Sequence, residues 1–245
     1  MGAVDLAYEA LKSKILTQEY LPGMQLKELK ISKELGLTRT PVREAIIRLE
    51  REGLVKTVYN RGAFVTVFSR KEIEDLFEVR EALEIKALYL ATRRASRDDI
   101  DTIETALKQR ELLIKTGVAT VDFRDAGLDF HLGIIKLSKN ERLISTWQTM
   151  QSQLSLVRVT STMIKSRYLK AFEEHKKILA LVGNGDFKRA EKLLKRHISF
   201  ARNNMLSSLS DDSEYHPDAG KIERSPRQAA GNGLANGFIY TQRLN

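Results

Sequence analysis

The segment that most restricts the fold is GLTRTPVREAIIRLEREGLVK, which runs from residue 36 to residue 56. Gly36 is a predicted C-cap for a short helix over 28–35. A further helix is predicted to begin at the N-cap Thr40, with Pro41 in its first position, and to end at Gly53. Apolar residues recur at helical spacing and define its buried face: Val42, Ala45, Ile46 and Leu49.

A β-hairpin is predicted directly after this helix. The stretches Leu54–Tyr59 and Ala63–Phe68 are rich in β-branched and aromatic residues, and the turn signal NRG joins them. A first helix is predicted over 5–17 and ends before a Pro-Gly turn. Three helices followed by a hairpin is the element order of a winged helix-turn-helix, which we therefore expect over residues 1–69.

The rest of the chain is predicted to be helical. Ser69 and Glu72 form a capping-box pattern at its start, and no convincing strand follows. Short polar or glycine-containing breaks separate six predicted helices: 70–94, 97–115, 119–138, 141–161, 165–183 and 186–208. The chain is thus predicted to be mainly α, with an all-α bundle of about six helices over 70–208 and a flexible tail over 209–245.

Composition excludes several kinds of function. The chain has no cysteine, which rules out disulfides, thiolate metal sites and cysteine nucleophiles and fits a reducing cytoplasm. Its start has helical periodicity rather than the pattern of a signal peptide, and no apolar run is long enough to span a membrane. The net charge of +9 indicates an anionic partner. Most of this excess lies in residues 70–208, so charge alone does not assign that partner to the N-terminal domain.

The helix after the Gly36 turn is the candidate DNA-reading element. In a helix-turn-helix the second helix enters the major groove with its N-terminal residues near the base edges. Arginine can bind a guanine through two hydrogen bonds, and threonine hydroxyls suit phosphate oxygens. The candidate DNA contacts are Thr38, Arg39, Thr40, Arg43 and Arg48, with Arg61 and Gly62 at the wing tip. The alternative is a solvated helix with an ion pair between Glu44 and Arg48.

These residues carry a family resemblance. Most of the first 68 residues resemble the winged-helix domain of bacterial GntR-type transcriptional regulators, on this pattern: Pro22-Gly23, Leu26, Glu28, the run Leu35 to Ala45, Leu49-Glu50, Glu52 to Val55, Gly62 and Phe64-Val65. A second pattern is similar to the helical effector domain (FCD type) of the FadR branch: Glu78 to Arg80, Leu83-Glu84, Phe130-His131, Glu174-His175 and His197. The resemblance covers about residues 1–208 and implies a homodimer that binds DNA and an effector.

Three of the four histidines fall on apolar helix faces. His131, His175 and His197 each continue an apolar stripe on a different predicted helix, so three imidazoles should meet inside the bundle. One such histidine would more often be a hydrogen-bonded core residue. Three together indicate a site for zinc, nickel, copper or iron, with positions open for water or a ligand.

The resemblance raises a difficulty for this metal site. Metal sites of the FadR branch combine three histidines with an Asp or Asn four residues before the first, and Gly127 occupies that position here. Asp125 and Asp129 flank it but should point roughly 120° and 160° away from the His131 face. We expect either a three-histidine zinc or nickel site that the effector completes, or a site that is weakened or lost.

Two arginines interrupt apolar stripes in the same bundle. Arg80 and Arg158 lie where buried side chains are expected, and a buried arginine requires a carboxylate partner. Glu84, four residues after Arg80, is one internal candidate. The other interpretation is a clamp for a carboxylate effector, with Tyr168 as a further contact. The resemblance also points to small organic acids.

The expected function is a ligand-responsive transcriptional regulator without enzymatic activity. It would be a homodimeric repressor that binds a double-stranded DNA operator and is released by a small organic acid. Two alternatives stay open. One is a metal-dependent enzyme built on the three histidines, although no well-placed general base is evident. The other is a DNA-binding protein that senses no ligand, which the interior arginines and histidines disfavour.

Overall fold

The structure, a computed structural model, describes residues 2–116, 123–159, 165–207 and 209. The side chains at 113–114, 116, 123–128, 159 and 165–168 lie outside that description. The described helices and strands follow in this order: α1 (Ala3–Leu16), β1 (Gln25–Leu26), α2 (Glu28–Leu35), α3 (Arg39–Arg51), β2 (Val55–Val58), β3 (Gly62–Val65), α4 (Arg70–Arg94), α5 (Arg97–Thr116), α6 (Phe123–Leu137), α7 (Glu141–Val159), α8 (Lys165–Gly183) and α9 (Phe187–Ser207). This confirms a mainly helical chain.

Helices α1 to α3 and a small antiparallel sheet make up the N-terminal region, residues 2–68. The predicted hairpin is confirmed as β2 and β3, with Thr57 opposite Ala63. A third strand, β1, pairs with β3 and places Gln25 opposite Phe64, which gives the order β1-β3-β2. The sequence does not predict β1, because two residues carry no apolar alternation.

The start of α3 differs from the prediction. Its N-cap is Thr38, in an extended conformation (φ −74°, ψ 168°), and its first residue is Arg39. The N-cap predicted at Thr40 is therefore wrong by two residues. Pro41 occupies the third helical position, where its missing N–H would also have lacked a partner within the helix. The predicted C-cap of α2 is confirmed, since Gly36 is left-handed with φ 65°.

Helices α4 to α9 make up the helical region, residues 70–207. The capping box at its start is confirmed: the Glu72 N–H donates to Ser69 Oγ (3.2 Å), and the Ser69 N–H donates to Glu72 Oε2 (2.8 Å). The predicted spans of α4, α5 and α8 agree with the structure to within one residue. The predicted start of α6, the end of α7, residue 208 and the tail from 210 onward lie outside the described residues.

Two hydrophobic clusters form the interior of the described chain. One lies within the helical region and is centred on large buried side chains such as Trp147, Phe130 and Ile134. The other lies in the N-terminal region, but it includes Leu156 of α7, which is 1% exposed. Phe68 packs against both clusters. Among the described helices, none combines the length and apolar character that a membrane crossing requires.

Candidate nucleic-acid interface and metal centre

Two of the candidate DNA-reading arginines meet at one carboxylate. Glu28, the first residue of α2, accepts hydrogen bonds from Arg43 Nε at Oε1 (2.9 Å) and from Arg43 Nη2 at Oε2 (3.0 Å). Arg39 Nη2 donates to the same Oε2 (3.2 Å). The hydrogen bond from Arg43 is the main cause that lowers the pKa of Glu28, so the carboxylate is ionised. Sequence reasoning missed this contact because Glu28 lies 15 residues before Arg43.

The remaining candidate DNA contacts on and beside α3 do not take part in the contact with Glu28. Thr38 and Thr40 are exposed beside Arg39. Arg48 lies roughly 140° around the helix from Arg43 and faces α1 instead. Its Nη1 is 3.4 Å from Asp5 Oδ1, and its guanidinium carbon is 3.7 Å from the centre of the Tyr8 ring.

The wing tip presents an exposed arginine. Arg61 follows Asn60, whose φ of 58° makes the turn, and Gly62 continues it with φ 92°. The side-chain amide of Gln25 donates to the Arg61 carbonyl (2.7 Å), which ties the turn to β1. The wing and the start of α3 are thus both available to an external partner.

The three histidines meet inside the helical region. His131 of α6, His175 of α8 and His197 of α9 are each at most 5% exposed. One ring nitrogen from each lies within 4.8 Å of the others, and the Nε2 atoms of His175 and His197 are 3.2 Å apart. Phe130 stacks on His175 with ring centres 4.1 Å apart. The predicted convergence of the three imidazoles is therefore present.

Two carboxylates, the buried Glu84 and the partly buried Glu174, orient two of these rings from behind. Glu84 Oε2 is 2.6 Å from His131 Nδ1, and Glu174 Oε2 is 2.7 Å from His197 Nδ1. An ionised carboxylate only accepts, so in the tautomer in which each Nδ1 donates to its carboxylate, each Nε2 presents a lone pair toward the cluster. Sequence reasoning did not pair either carboxylate with a histidine of the cluster. Both carboxylates bind the outer nitrogens, so they position rings rather than act as bases at the centre.

The electrostatic environment keeps the histidines neutral. Burial lowers the pKa of His131 and His175 well below the ordinary value, and it lowers the pKa of His197 against the opposing hydrogen bond to Glu174. Burial also raises the pKa of Glu84, which the charge of Arg80 opposes. Neutral imidazole is the form that binds a metal.

Arg80 pairs with Glu84, the internal carboxylate partner that the sequence analysis considered. Its Nε donates to Glu84 Oε1 (2.7 Å), and both side chains are at most 3% exposed. Its guanidinium carbon lies 5.9 Å from the centre of the Trp147 ring. Arg158 of α7 is half-buried, and its charge acts on Glu84 and His131. The Tyr168 side chain lies outside the described residues.

The residues of the cluster fit a divalent transition metal. Two ligand nitrogens bound at about 2.0–2.1 Å in tetrahedral geometry lie roughly 3.4 Å apart, close to the separation of the His175 and His197 Nε2 atoms. His175 Nδ1 is buried and has no hydrogen-bond partner among the described residues. Of the acidic residues that flank position 127, Asp129 is exposed and pairs with Arg110 (2.6 Å). The side chain of Asp125 lies outside the description.

A polar junction connects α7 with the end of α3. Glu52, the C-cap of α3, accepts a hydrogen bond from Ser152 Oγ at Oε2 (3.2 Å), and its carbonyl accepts one from Gln153 Nε2 (3.0 Å). Tyr8 and Lys12 of α1 donate to the same carboxylate, at 2.5 and 2.8 Å. Gly53 follows with φ 73°, and a Cβ there would overlap the amide nitrogen of Gln153. From the sequence, Gly53 is predicted only to end the helix, and its contact with α7 is not predicted.

A winged helix-turn-helix fused to an all-helical region with a buried histidine cluster defines a class of DNA-binding regulators. Comparison with known proteins agrees: residues 4–65 match the bacterial regulatory proteins of the gntR family, and residues 75–200 match the FCD domain. The chain belongs to the GntR family and carries an FCD domain, and it is a transcriptional regulator. The family predicted from the sequence is confirmed, and the enzyme alternative is set aside.

Individual relatives support this assignment along most of the chain. The uncharacterized HTH-type transcriptional regulator YdhC of Bacillus subtilis is 24% identical over 208 residues, which cover 85% of this chain and 88% of that protein. The probable D-xylose utilization operon transcriptional repressor of Paenarthrobacter nicotinovorans is 26% identical over 186 residues, covering 75% of this chain and 80% of that protein. The crystal structure of a putative transcriptional regulator GntR from Rhodococcus sp. RHA1 has the same fold, with a TM-score of 0.73, 22% identity and coverage of 86% of this chain and 100% of that one.

Proposed function

We propose that this regulator is a homodimeric repressor that a small organic acid releases from its DNA operator, with a metal at the three histidines as part of the effector site. The observation that carries the effector half is the convergence of three neutral, buried imidazoles beside two arginines. The repressor in the name of one relative supports the direction of the response. We place the functional boundary at residues 69 and 70.

The DNA-binding half of the proposal rests on the start of α3. Arg39 and Arg43 are exposed at the N-terminal end of this helix, where base edges come within reach in a helix-turn-helix. Thr38 and Thr40 suit backbone phosphates, and Arg61 with Gly62 suits the neighbouring minor groove. Arg48 is a phosphate contact only if its side chain leaves Asp5 and Tyr8 when DNA binds.

The effector half rests on charge within the bundle. A metal held by His131, His175 and His197 would supply open coordination positions for the oxygens of a carboxylate ligand. Arg158 is the proposed counter-charge for the ligand, because its charge already acts on Glu84 and His131 at the site.

Helix α7 offers a physical connection between the two halves. Trp147 and Arg158 of this helix face the histidine cluster, whereas Ser152, Gln153 and Leu156 contact the N-terminal region. A ligand that binds one position of α7 more tightly than another would therefore shift the end of α3. In a dimer such a shift changes the spacing of the two recognition helices on the DNA.

The first test is the metal content of the purified protein beside two variants. His175→Ala should remove a ligand, and His216→Ala is the matched control because His216 is the one histidine outside the described residues. We expect near-stoichiometric zinc or nickel in the parent and in His216→Ala and much less in His175→Ala, with all three folded by circular dichroism.

The second test couples the metal-loaded protein to DNA. Fluorescence anisotropy with a duplex enriched by the parent from a randomised pool would be measured against a panel of small mono- and dicarboxylic acids. Release by one of them, weakened by Arg158→Ala, supports the proposal. No metal after loading, or DNA affinity that no acid alters, would contradict the metal or the effector part respectively.

A further inference from the structure

The contact between Glu28 and the two arginines has a consequence for how DNA is read. A guanidinium has five N–H donors, which form a side edge (Nε and Nη2) and an end edge (Nη1 and Nη2). Glu28 occupies the side edge of Arg43 through two hydrogen bonds of 2.9 and 3.0 Å. The end edge keeps its N–H groups on Nη1 and Nη2 and is directed away from the carboxylate.

An end edge fixed in this way matches the acceptors of one base. Guanine presents O6 and N7 side by side in the major groove, and a bidentate arginine is their commonest protein partner. A carboxylate next to the guanidinium also repels phosphates, so it opposes binding of the same arginine to the DNA backbone. In the absence of Glu28, Arg39 and Arg43 would be two like charges at the positive end of a helix dipole.

We infer that Glu28 is a specificity-determining residue: it holds Arg43 in the orientation that reads a guanine and reduces sequence-independent binding to phosphate. This inference rests on the proposed role of α3 in DNA reading. The support is geometric, since one carboxylate that is 24% exposed bridges two side chains that are each 60% exposed. Glu28 itself does not need to touch the DNA.

The test compares Glu28→Gln with Glu44→Gln in the full-length protein. Glu44 is exposed on α3 and follows Arg43 in the sequence, so its substitution removes the same charge close to the same arginine. The probes are a duplex enriched by the parent from a randomised pool and a scrambled duplex of equal composition. We expect Glu28→Gln to bind the scrambled duplex more tightly and to lose about tenfold or more in the ratio of the two affinities. Glu44→Gln should change both affinities by a similar factor.

A base analogue locates the effect on the guanine. Replacement of the contacted guanine by 7-deazaguanine removes the N7 acceptor, and it should weaken the parent and Glu44→Gln but leave Arg43→Ala and Glu28→Gln nearly unaffected. If Arg43→Ala loses the enriched duplex but Glu28→Gln keeps the parent's affinity ratio and sensitivity to the analogue, the role of Glu28 is wrong. If Arg43→Ala itself binds as the parent does, the DNA-reading role of α3 is wrong as well.

Discussion

The ion pair between Glu28 and Arg43 in the N-terminal region leaves the two side chains 24% and 60% exposed, whereas the pair between Glu84 and Arg80 in the helical region leaves them 0% and 3% exposed. Both are short arginine–carboxylate contacts. The exposed pair can exchange its partner for DNA or water at little energetic cost, because water solvates both charges. The buried pair cannot, since removal of one partner leaves an uncompensated charge in the core.

The comparison shows that similar contacts have different roles in the two regions. In the N-terminal region the charged groups of the exposed pair contribute little to folding. In the helical region they are part of the interior, and the histidine cluster depends on them for its orientation. Substitutions in the first region should therefore change function with little change in stability. Substitutions in the second region should change both.

The largest effect should follow from Glu84→Ala. This change leaves Arg80 buried without a carboxylate and His131 without its acceptor, and we expect the free energy of unfolding to fall by about 3–5 kcal/mol. Urea denaturation followed by circular dichroism measures it. Glu28→Ala is the matched change in the exposed pair and should lower stability much less. Similar losses in the two variants would remove the distinction drawn here.

A slightly smaller effect is expected from Leu156→Ala. Leu156 belongs to α7 but packs in the N-terminal cluster, so its truncation should cost about 3 kcal/mol and act mainly on that region. Leu154→Ala is the control, since Leu154 lies two residues away on α7 and is fully buried in the helical cluster. Hydrogen exchange with mass spectrometry should show faster exchange in α1 and α3 for the first variant and in α4 and α6 for the second. Identical patterns would mean that the two clusters unfold as one.

A third prediction concerns Gly36 and Gly53, two of the left-handed glycines of the N-terminal region. Gly53→Ala should destabilise the protein by more than the about 1–2 kcal/mol that a left-handed alanine costs, because its Cβ also meets Gln153. Gly36→Ala has nearly the same φ but nothing within 4 Å of the new Cβ, so it measures the backbone term alone. The difference in unfolding free energy between the variants reports the contact with α7. Equal losses would show that the Gln153 side chain moves aside freely.

The sequence predicted the elements whose signals are local. Helical periodicity gave the spans of α4, α5 and α8, and Gly36 and Ser69 marked the caps that the structure contains. It could not predict β1, whose two residues are a strand only because Phe64 and Ala63 pair with them. The start of α3 was misplaced because Thr38 and Thr40 both suit an N-cap, and Pro41 is tolerated with either.

The candidate site shows the same distinction between features that one helix determines and features that depend on tertiary contacts. Each histidine could be placed on a buried face from its own helix alone, so their convergence was predictable. Partners from other helices were not: Glu84 was visible as a neighbour of Arg80 but not of His131, which lies 47 residues away. The contacts of Glu28 with Arg43 and of Glu52 with Ser152 are also tertiary, and no spacing within one element indicates them.

The smallest effect, and the one most informative about coupling, is expected for Ser152→Ala. Its hydroxyl makes one 3.2 Å hydrogen bond to Glu52 across the junction, so its loss should cost about 0.5–1.5 kcal/mol, against almost nothing for Ser145→Ala on the exposed face of the same helix. A double-mutant cycle with Glu52→Ala isolates this bond from those that Glu52 makes to Tyr8 and Lys12. A coupling of this size is what a switch requires, because a ligand can move α7 only if its differential affinity exceeds the energy of the contacts that must break. A coupling of several kcal/mol would instead indicate a rigid junction, and a value of zero would mean that this bond transmits nothing from the histidine cluster to α3.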